Sequence, residues 1–269
     1  MRKAEFLFCV SAAAAALLAS AAYLLLLPDV RPLRTEDPRT TSFMLIQERR
    51  ARARGVKPAR RMEWRDLDGI SENLKHAVLV AEDDNFYRHN GIDWPSTWLA
   101  FKTDLKAGRM ARGGSTITQQ VARNLYLSPS KNPLRKLKEM LIARELEKTL
   151  GKRRILEIYL NIAEWGKGVY GAQAASMTYF GKDASALDPE EAAALAAVLP
   201  SPRRYSPTRG TRFMEKMKGR IIRRMRASGY LPEEAEAEVL EVPPETIEAG
   251  TGTVSAVEPA AESGVGPVP

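Results

Sequence analysis

The chain has 269 residues, of which 44% are hydrophobic and 28% charged, enough for one sizeable folded domain with additional segments. Its single cysteine, Cys9, excludes an internal disulfide, and its two histidines, His76 and His89, argue against a His-rich metal centre. Nine glutamates and no lysine or arginine follow Pro232, so the net charge of +8 leaves +17 on residues 1–232, a field that attracts phosphate groups.

The chain begins with an apolar segment that is long enough to cross a membrane. After Arg2 and Lys3, residues 6–28 carry no charged side chain, and about 20 apolar residues span a bilayer core as a helix. A cleaved signal peptide is the alternative, but the most apolar stretch, 23–27, stands where its polar cleavage region should lie. We therefore predict an uncleaved transmembrane anchor at 6–28, with residues 1–5 in the cytoplasm.

Three further segments differ in composition. Residues 29–65 are basic and contain several prolines, which predicts a solvated juxtamembrane connector that is also suited to anionic lipid. Residues 66–231 have a mainly helical pattern broken by Gly and Pro, without strand-like alternation or internal repeats. The acidic tail, residues 232–269, lacks aromatic residues and is predicted to be disordered.

Apolar residues at helical spacing predict the helices of the domain. A Gly-Gly-Ser turn with Ser115 as N-cap precedes one of them. Asp188 and Glu191 form a capping box around Pro189 and open another. The other predicted helices are apolar on one side and end near Gly or Pro. The ranges are 73–89, 116–127, 134–150 and 155–162, with a further helix after residue 188.

Glu82 is the first candidate catalytic residue. It ends an apolar helical run and is followed by Asp83 and Asp84. Burial and the neighbouring negative charge would raise its pKa, as a proton acceptor near neutral pH requires. One alternative is that two of the acids are solvated and the third pairs with Arg88. Another is a metal site formed by Asp83, Asp84 and His89, although their spacing matches no known ligand pattern.

A Gly-Gly-Ser-Thr segment and the helix after it form a candidate anion site. Paired glycines let a ligand approach the backbone, and a helix N-terminus offers free N–H groups. Hydroxyl groups and one polar helical face carrying an arginine follow, and further cations precede the segment. Together they predict a phosphate site. The residues are Ser115, Thr116 and Thr118, then Gln119, Gln120, Arg123 and Asn124, with Lys102, Arg109 and Arg112 before them.

Glu139 is the second candidate acid. On a helical projection it shares a face with four apolar residues, Ile142, Ala143, Leu146 and Leu150, so it would be a partly buried carboxylate. Arg135 lies one turn away, and an ordinary ion pair on the surface is the alternative. Two carboxylates across a cleft in a helical domain are typical of chemistry at glycosidic bonds.

Five sequence blocks occur in the same order as in a known family. They are EDDNFYRHNGID (82–93), GGSTITQQVARN (113–124), RKLKE (135–139), ILEIYLN with NIAEWGKGVYG (155–171), and EAAALAAVLPSPRRYSP (191–207). On these blocks, which span about residues 70–230, the chain resembles the peptidoglycan glycosyltransferases (glycosyltransferase family 51), and most of all their monofunctional members. Arg123 departs from the family pattern, which has lysine there, so a planar bidentate group replaces a point charge.

The resemblance implies a mostly α-helical, lysozyme-like domain with a smaller membrane-facing jaw, preceded by one transmembrane helix. The substrate would be lipid II, a disaccharide-peptide on undecaprenyl pyrophosphate, polymerised with inversion into β-1,4-linked glycan strands. Glu82 would be the general base, and Glu139 would lie near the donor's pyrophosphate. The resemblance and the blocks give a set of substrate-binding residues: Asp83, Phe86, His89, Ser115, Thr116, Gln119, Gln120, Arg123, Asn124, Arg135, Lys136 and Asn161.

The resemblance also implies a location and partners. The protein would cross the bacterial cytoplasmic (inner) membrane once, with its catalytic domain on the periplasmic side. No organic cofactor is expected, and a divalent cation, Mg²⁺ or Mn²⁺, could bind at Glu139. No S-x-x-K motif with its companions follows the domain, so transpeptidases would be separate partners.

Two other functions compete with this interpretation. A glycan-cleaving enzyme could use the same helical scaffold, but it would not need a phosphate site. A membrane-anchored cell-wall scaffold without catalysis would not need the acids. Nucleic acid is not expected as a partner, because aromatic residues make up only 7% of the chain and no groove-reading motif is present.

Overall fold

The computed structural model describes residues 3–107, 114–130 and 132–232. Expectations for Arg109, Arg112 and the acidic tail lie outside the described residues. Within these ranges the chain is mostly helical, as predicted. The helices are α1 Lys3–Leu25, α2 Ser42–Ala53, α3 Glu72–Glu82, α4 Trp94–Ala107, α5 Ile117–Tyr126, α6 Pro133–Thr149, α7 Lys152–Ile162, α8 Ala172–Tyr179, α9 Pro189–Val198 and α10 Arg212–Ala227.

Helix α1 matches the predicted apolar segment. Its stretch Glu5–Leu25 has a mean hydropathy of 2.0 and no buried residues, so by length and composition it can cross a membrane. Its end contacts α6, where Lys138 Nζ donates to the Tyr23 carbonyl (2.7 Å) and lies 4.1 Å from the centroid of the Tyr23 ring.

The segment predicted as a solvated connector is instead part of the folded domain. Thr41 caps α2 by accepting the Met44 N–H, and α2 packs on α5. Val30, Leu33 and Met44 are buried. The prediction was wrong because a few apolar side chains on an inner face are enough to fix a helix whose other residues are charged.

A three-stranded sheet also departs from the sequence prediction. It consists of β1 Arg61–Met62, β2 Glu164–Gly166 and β3 Val169–Tyr170, in the order β1-β3-β2. The pair β1–β3 is parallel and the pair β2–β3 antiparallel. Strands of two or three residues are too short to show the alternation of apolar and polar residues that reveals a strand in a sequence.

Helix α3 is shorter than predicted. It ends at Glu82, because Asp83 adopts a non-helical conformation (φ −162°, ψ 76°) and its side chain turns towards the start of α5. A single 3₁₀ turn, Phe86–Arg88, follows. Because the helix ends here, Glu82 lies on the last turn of a buried helix, at the edge of the core.

Helix α5 begins one residue later than predicted, with Thr116 rather than Ser115 as its N-cap. Thr116 Oγ1 accepts the Gln119 N–H (3.1 Å) and Gln119 Oε1 accepts the Thr116 N–H (3.0 Å). The capping box predicted at Asp188 and Glu191 is confirmed at the start of α9. Both caps satisfy N–H groups that a helix leaves unpaired.

The core lies between two groups of helices. Helix α9 packs on α3 and α10, and α5 packs on α6 and α7. The alanines of α9 are buried and let its neighbours approach closely, and Trp165 and Tyr159 are among the largest buried side chains. The predicted inner face of α6, which carries Glu139, is buried.

Candidate active site

Two cavities of opposite charge lie side by side in the domain. The acidic cavity, about 180 Å³, is lined by Glu82, Asp83, Asp84 and Asp93, with Arg224 as its cation. The arginine cavity, about 600 Å³, is lined by a larger set that includes four arginines and one carboxylate. Its polar and aromatic members are Phe43, Gln120, Arg123, Asn124, Ser130, Arg135, Tyr159, Glu164, Ser201, Arg203 and Arg204.

Glu82 and Gln120 form the junction of the two cavities. Glu82 lines the acidic cavity, Gln120 lines the arginine cavity, and Gln120 Nε2 donates to Glu82 Oε2 at 2.7 Å. The Tyr159 hydroxyl lies 3.4 Å from Gln120 Oε1. The α3 C-terminus and the second turn of α5 thus bring a carboxylate to the boundary between an acidic and a basic compartment.

The environment of Glu82 favours its protonated form. Burial raises the pKa of Glu82 above its usual value, the hydrogen bond from Gln120 and the charge of Arg123 oppose this, and the neighbouring Asp83 adds to it. A carboxylate whose proton affinity is raised is a better base once it is ionised. This is the pKa shift that the sequence predicted.

Asp83 fixes the loop around the base. Its carboxylate accepts the Ile117 N–H (2.9 Å) at the start of α5. His89 Nε2 lies 3.0 Å from both carboxylate oxygens. The Gly91 N–H donates to His89 Nδ1, so the ring proton sits on Nε2 and points at Asp83. Asp83 therefore joins three segments, and its side chain is almost completely buried.

The other two acids of this cavity have partners of their own. Asp84 pairs with Arg224 at 3.1 Å, not with Arg88. Asp93 accepts from the Ser96 backbone N–H, the Ser96 hydroxyl and Asn85. Burial opposes ionisation of Asp93, but these hydrogen bonds outweigh it and hold the pKa of Asp93 below its usual value. The acids are thus engaged in different contacts and do not converge on one point.

A chain of hydrogen bonds surrounds Glu139. This carboxylate is completely buried, and its two oxygens accept from Arg135 and Lys136, both at 2.5 Å. Lys136 Nζ also donates to the Ser115 hydroxyl (2.8 Å), and Arg135 Nε to the Ser130 carbonyl (2.6 Å). Glu139 is therefore more buried than predicted, and it holds two cations in fixed positions between the cavities.

A divalent cation does not fit at Glu139. Both carboxylate oxygens are already bonded to cationic groups, and a metal ion would face Arg135 and Lys136 at short range. Among residues 3–107, 114–130 and 132–232, no group of three or more His, Cys, Asp and Glu side chains could hold a metal ion. Side-chain cations supply the positive charge at this point.

The arginine cavity carries excess positive charge. Arg135 is paired with Glu139, and Arg203 with Glu164 at 2.9 Å. In the described part of the chain, Arg123 and Arg204 form no ion pair. Arg204 instead lies 5.4 Å from the centroid of the Tyr205 ring. Two unpaired guanidinium groups in one cavity are suited to the oxygens of a pyrophosphate.

Three expected substrate-binding residues lie in the interior rather than in the cavities. Phe86 is a core side chain with Lys152 Nζ 4.4 Å from its ring centroid. Gln119 is the capping-box residue of α5. Asn161 Oδ1 accepts the Arg65 N–H, and its Nδ2 donates to the Arg65 and Glu157 carbonyls. Gln119 and Asn161 thus form hydrogen bonds with backbone groups in the interior.

The remaining expected residues lie in or beside the cavities. Asp83, Ser115 and Thr116 line the acidic cavity, and Thr116 Oγ1 also donates to the Gly91 carbonyl (2.6 Å). Thr118 is different: it is buried and donates to Glu147. The residues placed in the arginine cavity are Gln120, Arg123, Asn124 and Arg135; Lys136 and His89 contact residues of the acidic cavity.

Sequence reasoning missed several residues that line the cavities, among them three arginines and one phenylalanine. Arg203 and Arg204 belong to the SPRRYSP stretch of the fifth block, where two adjacent arginines after prolines were an available signal. Phe43 comes from α2, which had been predicted as a linker. Arg224 is one of several arginines on α10, and nothing in the sequence distinguishes it from its neighbours.

Comparison with known proteins decides the family. A family model described as Transglycosylase matches residues 49–226, about two thirds of the chain. The chain belongs to this family. The biosynthetic peptidoglycan transglycosylase of Nitrosospira multiformis is 45% identical over 196 residues, which are 73% of this chain and 85% of the relative. That of Chromobacterium violaceum is 47% identical over 199 residues, 74% and 87% of the two chains.

A third relative extends the match. The biosynthetic peptidoglycan transglycosylase of Azoarcus sp. is 44% identical over 214 residues, 77% of this chain and 93% of the relative. The family match begins inside α2 and ends inside α10. Both cavities of the transglycosylase therefore lie within the family domain, except for Phe43. The alternatives of a glycan-cleaving enzyme and a non-catalytic scaffold are not favoured.

Proposed function

We propose that Glu82 is the general base with which this peptidoglycan glycosyltransferase joins lipid II units into glycan strands. One observation carries the proposal: a buried carboxylate with a raised pKa stands where an acidic cavity meets an arginine-lined one. An acceptor sugar would enter the acidic cavity. The donor's pyrophosphate would occupy the arginine cavity.

The reaction is an inverting displacement. The 4-hydroxyl of the acceptor's GlcNAc gives its proton to the Glu82 carboxylate while its oxygen attacks the anomeric carbon of the donor's MurNAc. The bond from that carbon to the pyrophosphate oxygen breaks, and undecaprenyl pyrophosphate leaves with the electron pair. Attack from the face opposite the leaving group inverts the anomeric centre and gives the β-1,4 bond.

Positive charge around the leaving group is the second contribution. Charge that develops on the pyrophosphate oxygens is stabilised best by groups that are already in place. Glu139 holds Arg135 and Lys136 by short hydrogen bonds, and Arg123 forms no ion pair among the described residues. We assign Glu139 the role of positioning these cations. No step is assigned to a divalent cation or an organic cofactor.

Helix α1 would keep the cavities at the membrane surface. It is exposed along its length and apolar enough to cross a bilayer, and lipid II carries its pyrophosphate on a membrane-embedded lipid. We infer a single-pass protein of the bacterial cytoplasmic membrane, with the catalytic domain on the periplasmic side. Transpeptidases that crosslink the strands would be other chains, which can bind near this one.

The test compares wild-type protein with Glu82→Gln on labelled lipid II, with products separated by length on a gel. We expect long polymer from the wild type and a rate about 10²–10⁴-fold lower from the variant, the usual contribution of a general base. Glu72→Gln is the matched control, because it makes the same change in an exposed residue of the same helix. Equal polymer from Glu82→Gln would remove Glu82 as the base. A well-folded wild type without polymer would overturn the proposal as a whole.

A further inference from the structure

A third cavity lies next to the arginine cavity, outside the site described so far. This α2 pocket, about 570 Å³, lies between the C-terminal half of α2, residues 56–59 and the turn that joins β2 to β3. Its rim carries Arg50, Arg54, Lys57 and Lys167. Ala51, Val56 and Pro58 add apolar groups to its lining, and Glu48 is the acid in that lining.

Backbone contacts fix the wall of this pocket. Gly168 has φ +74°, and a Cβ at this position would lie 2.3 Å from the Ala59 carbonyl oxygen. The Arg61 N–H donates to the Gly168 carbonyl (2.8 Å), next to the parallel pairing of β1 with β3. Only glycine allows this approach without strain. The turn and residues 56–59 therefore enclose the pocket as one rigid surface.

The four rim cations have no acidic partners among residues 3–107, 114–130 and 132–232. Glu48, the acid in the lining, lies 3.5 Å from Arg60, and Glu164 is bonded to Arg203, so both acids already have cationic partners. A cation in the last turn of a helix stabilises the helix dipole. The helix dipole can therefore account for Arg50 and Arg54 at the end of α2. It does not account for Lys57 and Lys167, which come from two other segments. Four unpaired cations around one pocket predict an anionic ligand.

The pocket continues the arginine cavity. Arg203 lines both. On α2, Phe43 lines the arginine cavity, while Gln47, Ala51 and Arg54 line the pocket. These residues lie at i, i+4, i+8 and i+11 on one helical face. The face is about 16 Å long at 1.5 Å per residue, and the pocket shares no lining residue with the acidic cavity.

We propose that the α2 pocket binds the already polymerised part of the glycan strand through the carboxylates of its stem peptides. The inference rests on the proposed function, because it takes the arginine cavity as the donor site. The donor is the growing strand, and each new unit is joined at its anomeric carbon beside Glu82, so its older units must extend from the donor site away from the incoming acceptor. The α2 pocket adjoins the arginine cavity and shares no lining residue with the acidic cavity, where the acceptor would enter, and its cations match peptide carboxylates.

The test measures strand length in Arg50→Gln/Arg54→Gln. Both side chains are exposed, and removing two contacts to the strand should hasten its release, so we expect strands about three- to tenfold shorter. The rate of joining the first two lipid II molecules should be unchanged, because that step needs no older strand. Arg49→Gln/Arg52→Gln is the matched control: it removes the same charge from the same helix outside the pocket, and it should leave strand length unchanged.

A second measurement identifies the ligand. With lipid II whose stem carboxylates are amidated, the wild type itself should make the shorter strands in neutral detergent. Equal lengths from both substrates would overturn the inference. So would equal shortening by both double variants, or shortening that occurs only in vesicles of anionic lipid, which would assign the pocket to a lipid headgroup. A wild type that makes no polymer would instead refute the proposed function.

Discussion

At the scale of single residues, the pKa values of two carboxylates in the acidic cavity are shifted in opposite directions. Burial raises the pKa of Glu82, whereas the hydrogen bonds from Ser96 and Asn85 lower the pKa of Asp93 against the effect of burial. Carboxylates whose pKa values are separated in this way have different roles. Asp93 remains ionised and shapes the loop, and in the proposed mechanism Glu82 is the group that exchanges a proton.

The raised pKa of Glu82 predicts the pH dependence of the reaction. The base must be ionised, so kcat/KM should rise with pH through an apparent pKa above 4.5, the ordinary value for glutamate. Initial rates of the wild type from acidic to neutral pH test this. A rising limb at or below the ordinary value would contradict it, and so would an unchanged limb in Glu82→Gln.

The raised pKa of Glu82 also affects the free energy of unfolding. Thermal unfolding is therefore a second measurement on the wild type and Glu82→Gln. The folded protein binds the Glu82 proton more tightly than the unfolded chain does. Stability from this residue is therefore present at acidic pH and is lost as the pH rises from the ordinary pKa to the raised one. At neutral pH, Glu82→Gln should unfold at the same temperature as the wild type or a higher one.

At the scale of elements, α2 links the two ends of the site. It packs on α5, buries Met44, contributes Phe43 to the arginine cavity and forms one side of the α2 pocket. A segment that had been predicted as a solvated connector thus forms part of the wall of the arginine cavity.

A truncation in α2 tests this role. Met44 is 0% exposed, and replacing a buried Met by Ala typically costs about 2–5 kcal/mol, so Met44→Ala should markedly lower the thermal midpoint. Leu45→Ala, one position along the same helix, is the control: its side chain is exposed, and its effect should stay within about 0.5 kcal/mol. If the two variants unfolded alike, α2 would not be packed on the domain.

Helices could be predicted at this scale because their signals are local. The capping box of Asp188 and the apolar inner face around Glu139 are contained in a few neighbouring residues. The end of α3 is different, since it depends on a hydrogen bond that the N–H of Ile117, a residue far along the chain, donates to the Asp83 carboxylate. Contacts over such a separation leave no periodic pattern.

The candidate site could be predicted only in part, because only some of its signals are local in the sequence. Glu82 and Glu139 could be proposed from neighbouring apolar residues. A motif does not show, however, whether a polar side chain faces a cavity or a buried backbone group, and Gln119 and Asn161 proved to be of the second kind. Arg224 reaches the cavity only because α10 packs beside α3.

At the scale of the whole molecule, a second apolar surface accompanies α1. Trp94, Trp98 and Leu99 lie on α4 and are each more than half exposed. Lys102 Nζ lies 5.3 Å from the centroid of the Trp98 ring. Exposed tryptophan beside lysine is typical of side chains at a membrane interface. We expect α4 to contact the bilayer surface, in agreement with the jaw that the sequence resemblance implies.

Quenching of tryptophan fluorescence by brominated lipid tests this expectation. In vesicles, part of the wild-type emission should be quenched, and Trp94→Phe/Trp98→Phe should abolish most of the quenching. Trp64 and Trp165 serve as internal controls, because they pack in or against the core. Quenching that persists in the double variant would show that α4 does not reach the lipid.

Helix α5 connects the proposed base with the cavity proposed for the leaving group. The Ile117 N–H donates to Asp83, Gln120 Nε2 donates to Glu82, and Arg123 lines the arginine cavity. Each interval is three residues, about 4.5 Å along the axis. In the proposed mechanism, the distance between the base and the leaving group is therefore set by helical pitch rather than by loops. One residue inserted between Gln120 and Arg123 would turn the arginine by about 100° and put the two halves of the reaction out of register.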